Sequence, residues 1–213
     1  MTSARGNAFL YILIAIALFA GLVFVLSRGQ DGGEQTKFAA ASVQARAQRL
    51  LAYVDSVSQA WLQMKNMGTD LDEISLVLPT AGTFNNAPTI HKLFHPDGGG
   101  VQYRDMNDAD SRASSATPVG WKFTLINADY TDSSRTDLFM SYLNVKQELC
   151  AKINEITRND STIPTATFDA NDVFVAASTD LTTATCAECA THTSICVQDS
   201  TTRYVFVNLL ESR

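Results

Sequence analysis

The chain has no concentration of basic residues. Its 16 Lys and Arg stand against 22 Asp and Glu, for a net charge of −6, and nowhere do they form a patch that would neutralise phosphates. No nucleic-acid partner is expected. Histidine is scarce: His91, His95 and His192 are scattered, and neither an H-E-x-x-H zinc helix nor a G-x-S-x-G nucleophile elbow is present. HPDGGG (His95 to Gly100) has the glycines of a phosphate loop but not its Lys-Ser/Thr, and VQYRD after it does not open a helix, so it reads as a turn. There is no internal repeat. These absences leave no active site to assign: no catalytic residue, cofactor or metal is expected, and the chain does not read as an enzyme. What remains is apolar. Hydrophobic residues make up 46 %, enough for a core and against a disordered chain, and 213 residues suit one domain with an appendage or two very small domains.

The apolar residues are unevenly spread. Ala8 to Leu26 (AFLYILIAIALFAGLVFVL) holds no charge over 19 residues. At ~1.5 Å per residue such a helix covers roughly 28 Å, close to the ~30 Å hydrocarbon core of a bilayer. A cleaved secretory signal has a shorter apolar region and a small-x-small site, whereas SRGQDGG follows here, so a retained anchor fits better. A buried core helix would need apolar surroundings on every side. The flanking charges Arg5, Arg28 and Lys37 do not set an orientation. The cysteines say more: all four, Cys150, Cys186, Cys189 and Cys196, lie in the last third. An even number in a loop-rich region points to disulfides, an oxidising compartment, and a large domain outside the cytoplasm.

Gly29, Gly32 and Gly33 interrupt the apolar run. From Thr36 to Asn66 there is no Pro or Gly, and Val43, Ala47, Leu50, Val54, Val57, Trp61 and Met64 recur at alternating spacings of four and three. That is one apolar stripe down a helix, with Arg46, Arg49, Gln59 and Gln63 largely off it and Gly68 as a C-cap signal. Packing on a sheet or on neighbouring subunits is the expected use of the stripe, ahead of a coiled coil. Thr69 to Leu78 reads as a short capped helix before Pro79, and Thr80 to Pro118 as loop. Trp121 to Ala128 alternates like a strand. Ser134 to Thr157 carries Leu138, Tyr142, Val145, Leu149, Ile153 and Ile156, and predicts a second amphipathic helix. Val173 to Ala176 and Tyr204 to Leu209 predict two further strands. The fold class is α+β.

Arg5-Gly6 followed by Asn7-Ala8-Phe9-Leu10, the apolar run, its amphipathic continuation and the carboxyl-terminal cysteines together resemble the type IV pilins and the related pseudopilins of type II secretion. The resemblance covers the whole chain in architecture and is specific in sequence over about the first 30 residues. It implies a leader at 1–6 cleaved between Gly6 and Asn7, a membrane and filament-core helix at 7–28, an amphipathic stalk at 29–68, and a globular head at 69–213 with disulfides. The long helix would pack on a small antiparallel sheet. It further implies a bacterial inner-membrane protein, processed by a prepilin peptidase. The inner-membrane assembly machinery would then build it into a surface or periplasmic filament of identical subunits. The family usually has Glu at the fifth mature position, and here that position is Tyr11. A minor subunit, a divergent filament with a purely apolar core, or an ordinary anchored binding domain would each accommodate this.

An assembly role is also physically sound. Helices satisfy their own backbone groups, so apolar helices leaving a membrane can bury against one another. Phe9, Tyr11, Ile12, Ile16, Phe19 and Phe24 would form the adhesive core, with Ala15, Ala17, Ala20 and Gly21 allowing close approach. Each large side chain contributes roughly 1.5–3 kcal/mol on burial.

Cys186-Ala-Glu-Cys189 lacks the His that haem attachment needs, and its coil flanks do not suit a thioredoxin-like pair. Cys186, Cys189, His192 and Cys196 have a zinc-like spacing, C-x2-C-x2-H-x3-C, but leave Cys150 over. Two disulfides account for all four. Three connectivities are open, and Cys150–Cys196 with a local Cys186–Cys189 is favoured. Asp105, Asn107, Asp108 and Asp110 crowd one loop, which reads as a solvated acidic loop rather than a calcium site.

Overall fold

The structure, a computed structural model, describes residues 33–104, 110–111 and 120–212. The chain divides into two units, Met1–Ser42 and Val43–Arg213, and of the first only the opening of a helix is described. The architecture is α+β. Helix α1 is Gly33–Asn66. Within the second unit its predicted stripe is the buried face: Ala47, Leu50, Val54, Val57, Trp61 and Met64 are each at most 4 % exposed, while Val43 is half-buried. Tyr53 and Ala60 widen the stripe. The helix stops where Gly68 turns to φ +96° and the Thr69 N–H reaches back to the Met64 carbonyl at 3.0 Å. Among the described residues no helix is long and apolar enough to cross a membrane, and the run Ala8 to Leu26 lies outside them.

Four strands form one antiparallel sheet: β1 (Gly120–Asn127), β2 (Thr136–Val145), β3 (Ser194–Gln198) and β4 (Tyr204–Glu211), in the order β1-β2-β4-β3. Alternation sends Trp121, Leu138, Met140, Tyr142, Cys196 and Phe206 to one face, where they join the stripe of α1 and helix α2 (Gln147–Arg158). Trp121 sits at the centre, with ring centroids 5.3 Å from Tyr53 and 5.1 Å from Tyr142. Phe139, Leu143, Ile195, Val205 and Val207 go to the other face. That face is covered by the 166–190 segment, which holds the short helix α3 (Ala170–Phe174) and a 3-10 turn at Glu188–Ala190. The sheet is therefore a middle layer, covered on both sides.

This layering explains where the sequence reading of elements fails. Ser134 to Thr157 is not one helix but β2 followed by α2. β2 lies between two strands and is buried from Asp137 through Val145, so its apolar residues do not alternate and Leu138, Tyr142 and Val145 mimic a helical spacing. Asn144, at φ 67°, is the bulge residue that shifts the register between Leu143 and Val145. Val173 to Ala176 is not a strand. Asp169 accepts from the Asn171 N–H and caps α3 there. β3 was not foreseen. Nor is Thr69 to Leu78 a helix: after one turn, with the Glu73 N–H on the Asp70 carbonyl, Ser75 pairs with the distant backbone of His91 and Leu93. The long-range bridge wins over local helix propensity, and it lets Leu71 and Ile74 bury their side chains.

Candidate functional site

Of the residues singled out in the sequence, Gly6 and Asn7 of the cleavage junction lie outside the described residues. So do Phe9, Tyr11, Ile12, Ile16, Phe19 and Phe24 of the filament core. The cysteines are described. Cys150 on α2 is bonded to Cys196 on β3, with Cα atoms 5.4 Å apart, and Cys186 to Cys189, 5.3 Å apart. With all four sulfurs in disulfides, the C-x2-C-x2-H-x3-C run has no thiolate to give a zinc ion. The long bridge does not work alone. Asn154, fully buried one turn beyond Cys150, donates to the Cys196 carbonyl and accepts from the Cys196 N–H, both at 2.8 Å. Its amide also donates to the Thr162 carbonyl at 2.9 Å. One asparagine thus pairs with edge strand β3 as a neighbouring strand would.

A second device holds the turn between β3 and β4. The Asp199 carboxylate is buried and accepts from the Thr201 and Arg203 N–H groups, the Thr201 hydroxyl and the Arg203 guanidinium. Burial alone would push its carboxyl up. The hydrogen bonds from Arg203, Thr201 and Ala170 outweigh that and hold it below the usual carboxylate range. Arg203 also donates to Asp169, the cap of α3, and so fastens the turn to the covering layer. At the far end of β4, Glu211 accepts from Trp61 Nε1 at 3.2 Å and from Lys65 Nζ. The closing strand is thereby tied to α1.

The loop after α1 is built around Lys92. Only 5 % exposed, its ammonium donates to the carbonyls of Thr83, Phe84 and Asn86. HPDGGG is the turn it was read as, and close packing requires two of its glycines, Gly98 and Gly99, while Gly100 takes φ +64°. A Cβ on Gly98 would stand 2.2 Å from the Lys92 carbonyl oxygen, and one on Gly99 2.4 Å from that of Leu93. The acidic loop is only partly described, and Asp110 departs from its reading as a solvated residue. It is 8 % exposed and lies 3.6 Å from Arg46 on α1.

The histidines remain apart. His91 Nδ1 is 3.2 Å from the Thr69 hydroxyl, His95 Nδ1 is 3.5 Å from Asp97, and His192 Nε2 is 3.8 Å from Glu188. Among the described residues no group of three or more His, Cys, Asp or Glu could hold a metal ion. A groove of about 590 Å³ lies between α1 and residues 99–104. Arg49, Gln59 and Gln63 had been read as lying off the apolar stripe, and they line it. The contribution of Gln102 and Arg104 could not be read, because no periodicity marks the loop that carries them. What the fold defines is a helix-backed antiparallel sheet whose last third is tied down by covalent, ionic and amide links. No protein-family model, no curated protein and no solved structure matches the chain.

Proposed function

We propose that the chain is a structural subunit of a type IV pilus-like filament that assembles through its apolar amino-terminal segment. One observation carries the reading. The apolar run Ala8 to Leu26 is followed within a few residues by a helix, Gly33–Asn66, whose stripe from Ala47 onward is buried with a four-stranded antiparallel sheet. A chain built so has one end suited to lipid or to its own kind and another that folds by itself around a core. The tied-down last third supports an exposed working life, since free loops are where proteolysis concentrates.

In this reading the leader ends at Gly6. A prepilin peptidase and an inner-membrane machinery act on the chain, and the filament lies at the cell surface or in the periplasm. The subunit needs no enzymatic activity. Electron microscopy of sheared surface filaments, with peptide mapping of the protein in them, tests it. Filaments containing this chain with Asn7 as first residue are expected, and filaments that never contain it would refute it. The groove on α1 favours a second reading, an extracytoplasmic binding domain on a single-pass anchor. That domain would stay monomeric after mild extraction.

A further inference from the structure

The groove on the outer face of α1 has a composition unlike the rest of this acidic chain. Arg49, Ser56, Gln59 and Gln63 follow one another along its helical wall, and Gln102 and Arg104 stand on the loop opposite. Among the described residues no Asp or Glu lines it. Neither Arg49 nor Arg104 has a carboxylate partner among the described residues. The floor is fixed: Tyr53 is 6 % exposed, its ring packs on Trp121, and its hydroxyl accepts from the Arg104 N–H at 3.4 Å. Burial pushes that hydroxyl up to about 12, against the Arg104 N–H, which lowers it, so it stays neutral.

We infer that this groove binds an acidic sugar, with the two arginines on its carboxylate and the glutamines on its hydroxyls. Guanidinium forks match carboxylate geometry, and two with no carboxylate partner among the described residues select a negative ligand. Gln side chains both donate and accept, which suits hydroxyl groups that do the same. A peptide partner is disfavoured. The apolar lining is Ala52, Ala60 and Val101, with no large exposed anchor of the kind protein interfaces centre on. The inference does not rest on the filament reading, since an anchored monomer would present the same groove.

Isothermal titration of the full chain in detergent micelles with trigalacturonate tests it, with maltotriose, triglutamate and inorganic phosphate as comparisons. Saturable binding of trigalacturonate is expected, with no heat from maltotriose and at least tenfold weaker binding of the other two. Arg49→Gln and Arg104→Gln should each weaken binding about tenfold or more, and Arg135→Gln, in the β1–β2 turn, should not. Should a variant lose its fold, amide shift changes in the wild-type chain decide. Changes at residues 49–63 and 99–104 support the site, and changes confined elsewhere overturn it. The inference is also overturned by no binding of trigalacturonate, by equal binding of maltotriose, by triglutamate or phosphate binding as tightly as the sugar, or by wild-type affinity in both folded groove variants.

Discussion

Removing the Cys150–Cys196 bridge should cost far more stability than removing Cys186–Cys189, although each takes away one sulfur–sulfur bond. The reason lies in the unfolded chain. The long bridge joins residues 46 apart and the local one residues 3 apart. Loop-closure entropy then assigns about 4 kcal/mol to the first and about 1.6 kcal/mol to the second. The native state gives little cause for the ranking to change. Asn154 still pairs with both backbone groups of Cys196, so α2 and β3 stay together without the sulfurs. All four cysteines are at most 4 % exposed, so alanine pairs are the right substitution, since serine would bury hydroxyl groups. Urea unfolding of the full chain in nonionic detergent, followed by tryptophan fluorescence, reads the difference through Trp61 and Trp121 in the core. The Cys150→Ala/Cys196→Ala variant should lose about 4 kcal/mol and the Cys186→Ala/Cys189→Ala variant about 1.6 kcal/mol. Equal losses, or the reverse order, would refute the reasoning.

Other expectations follow from single contacts. Asp199→Asn removes one of the two carboxylates that meet Arg203 and should destabilise by about 1.5–3 kcal/mol, since Arg203 keeps Asp169 as a partner. It should also change the acid limb. Asp199 is held below its ordinary value, so its contribution is complete above about pH 4 and is lost as pH falls through the folded value. Acid titration of stability should therefore be flatter in the variant, and an unchanged limb would deny Asp199 that role. Gly98→Ala forces a methyl against the Lys92 carbonyl and should lower stability by about 1–3 kcal/mol in the same urea assay, whereas Gly82→Ala, with open space around it, should not. Glu211→Gln weakens the link from β4 to Lys65 and should cost about 0–1 kcal/mol, because Lys65 is half-exposed. A double-mutant cycle with Lys65→Met measures that coupling.

The legible parts of this fold are those where one face is buried and the other is not. The stripe of α1 could be read because Ala47, Leu50, Val54, Val57, Trp61 and Met64 alternate with exposed Gln and Arg. β1 and β4 were also legible as strands, β4 from the aromatic and branched residues of YVFVNL. β2 was not, because a strand buried on both faces has no period to read. α3 was missed because its residues Val173 and Phe174 favour strands, and only the Asp169 cap tells otherwise. β3 has five residues between threonine-rich segments and is made a strand by β4 alongside it. The disulfide partners could be ranked from chain order. Asn154, Asp199 and Lys92 are isolated polar residues whose roles arise only when distant backbone reaches them. Half of the groove was legible as the polar side of α1, and the other half stands on a loop that no pattern places beside it.

The central claim is that the apolar amino-terminal segment is the adhesive of an assembly, and Ile16→Asp in the full chain tests it most directly. A carboxylate there costs roughly 2.5–3.5 kcal/mol at a bilayer centre, and more where apolar helices alone surround it. The account predicts that sheared filaments disappear from electron micrographs of cells carrying the variant. The domain from Val43 onward should keep both disulfides and its resistance to protease. Filaments at wild-type number and length, containing the Ile16→Asp chain, would contradict it.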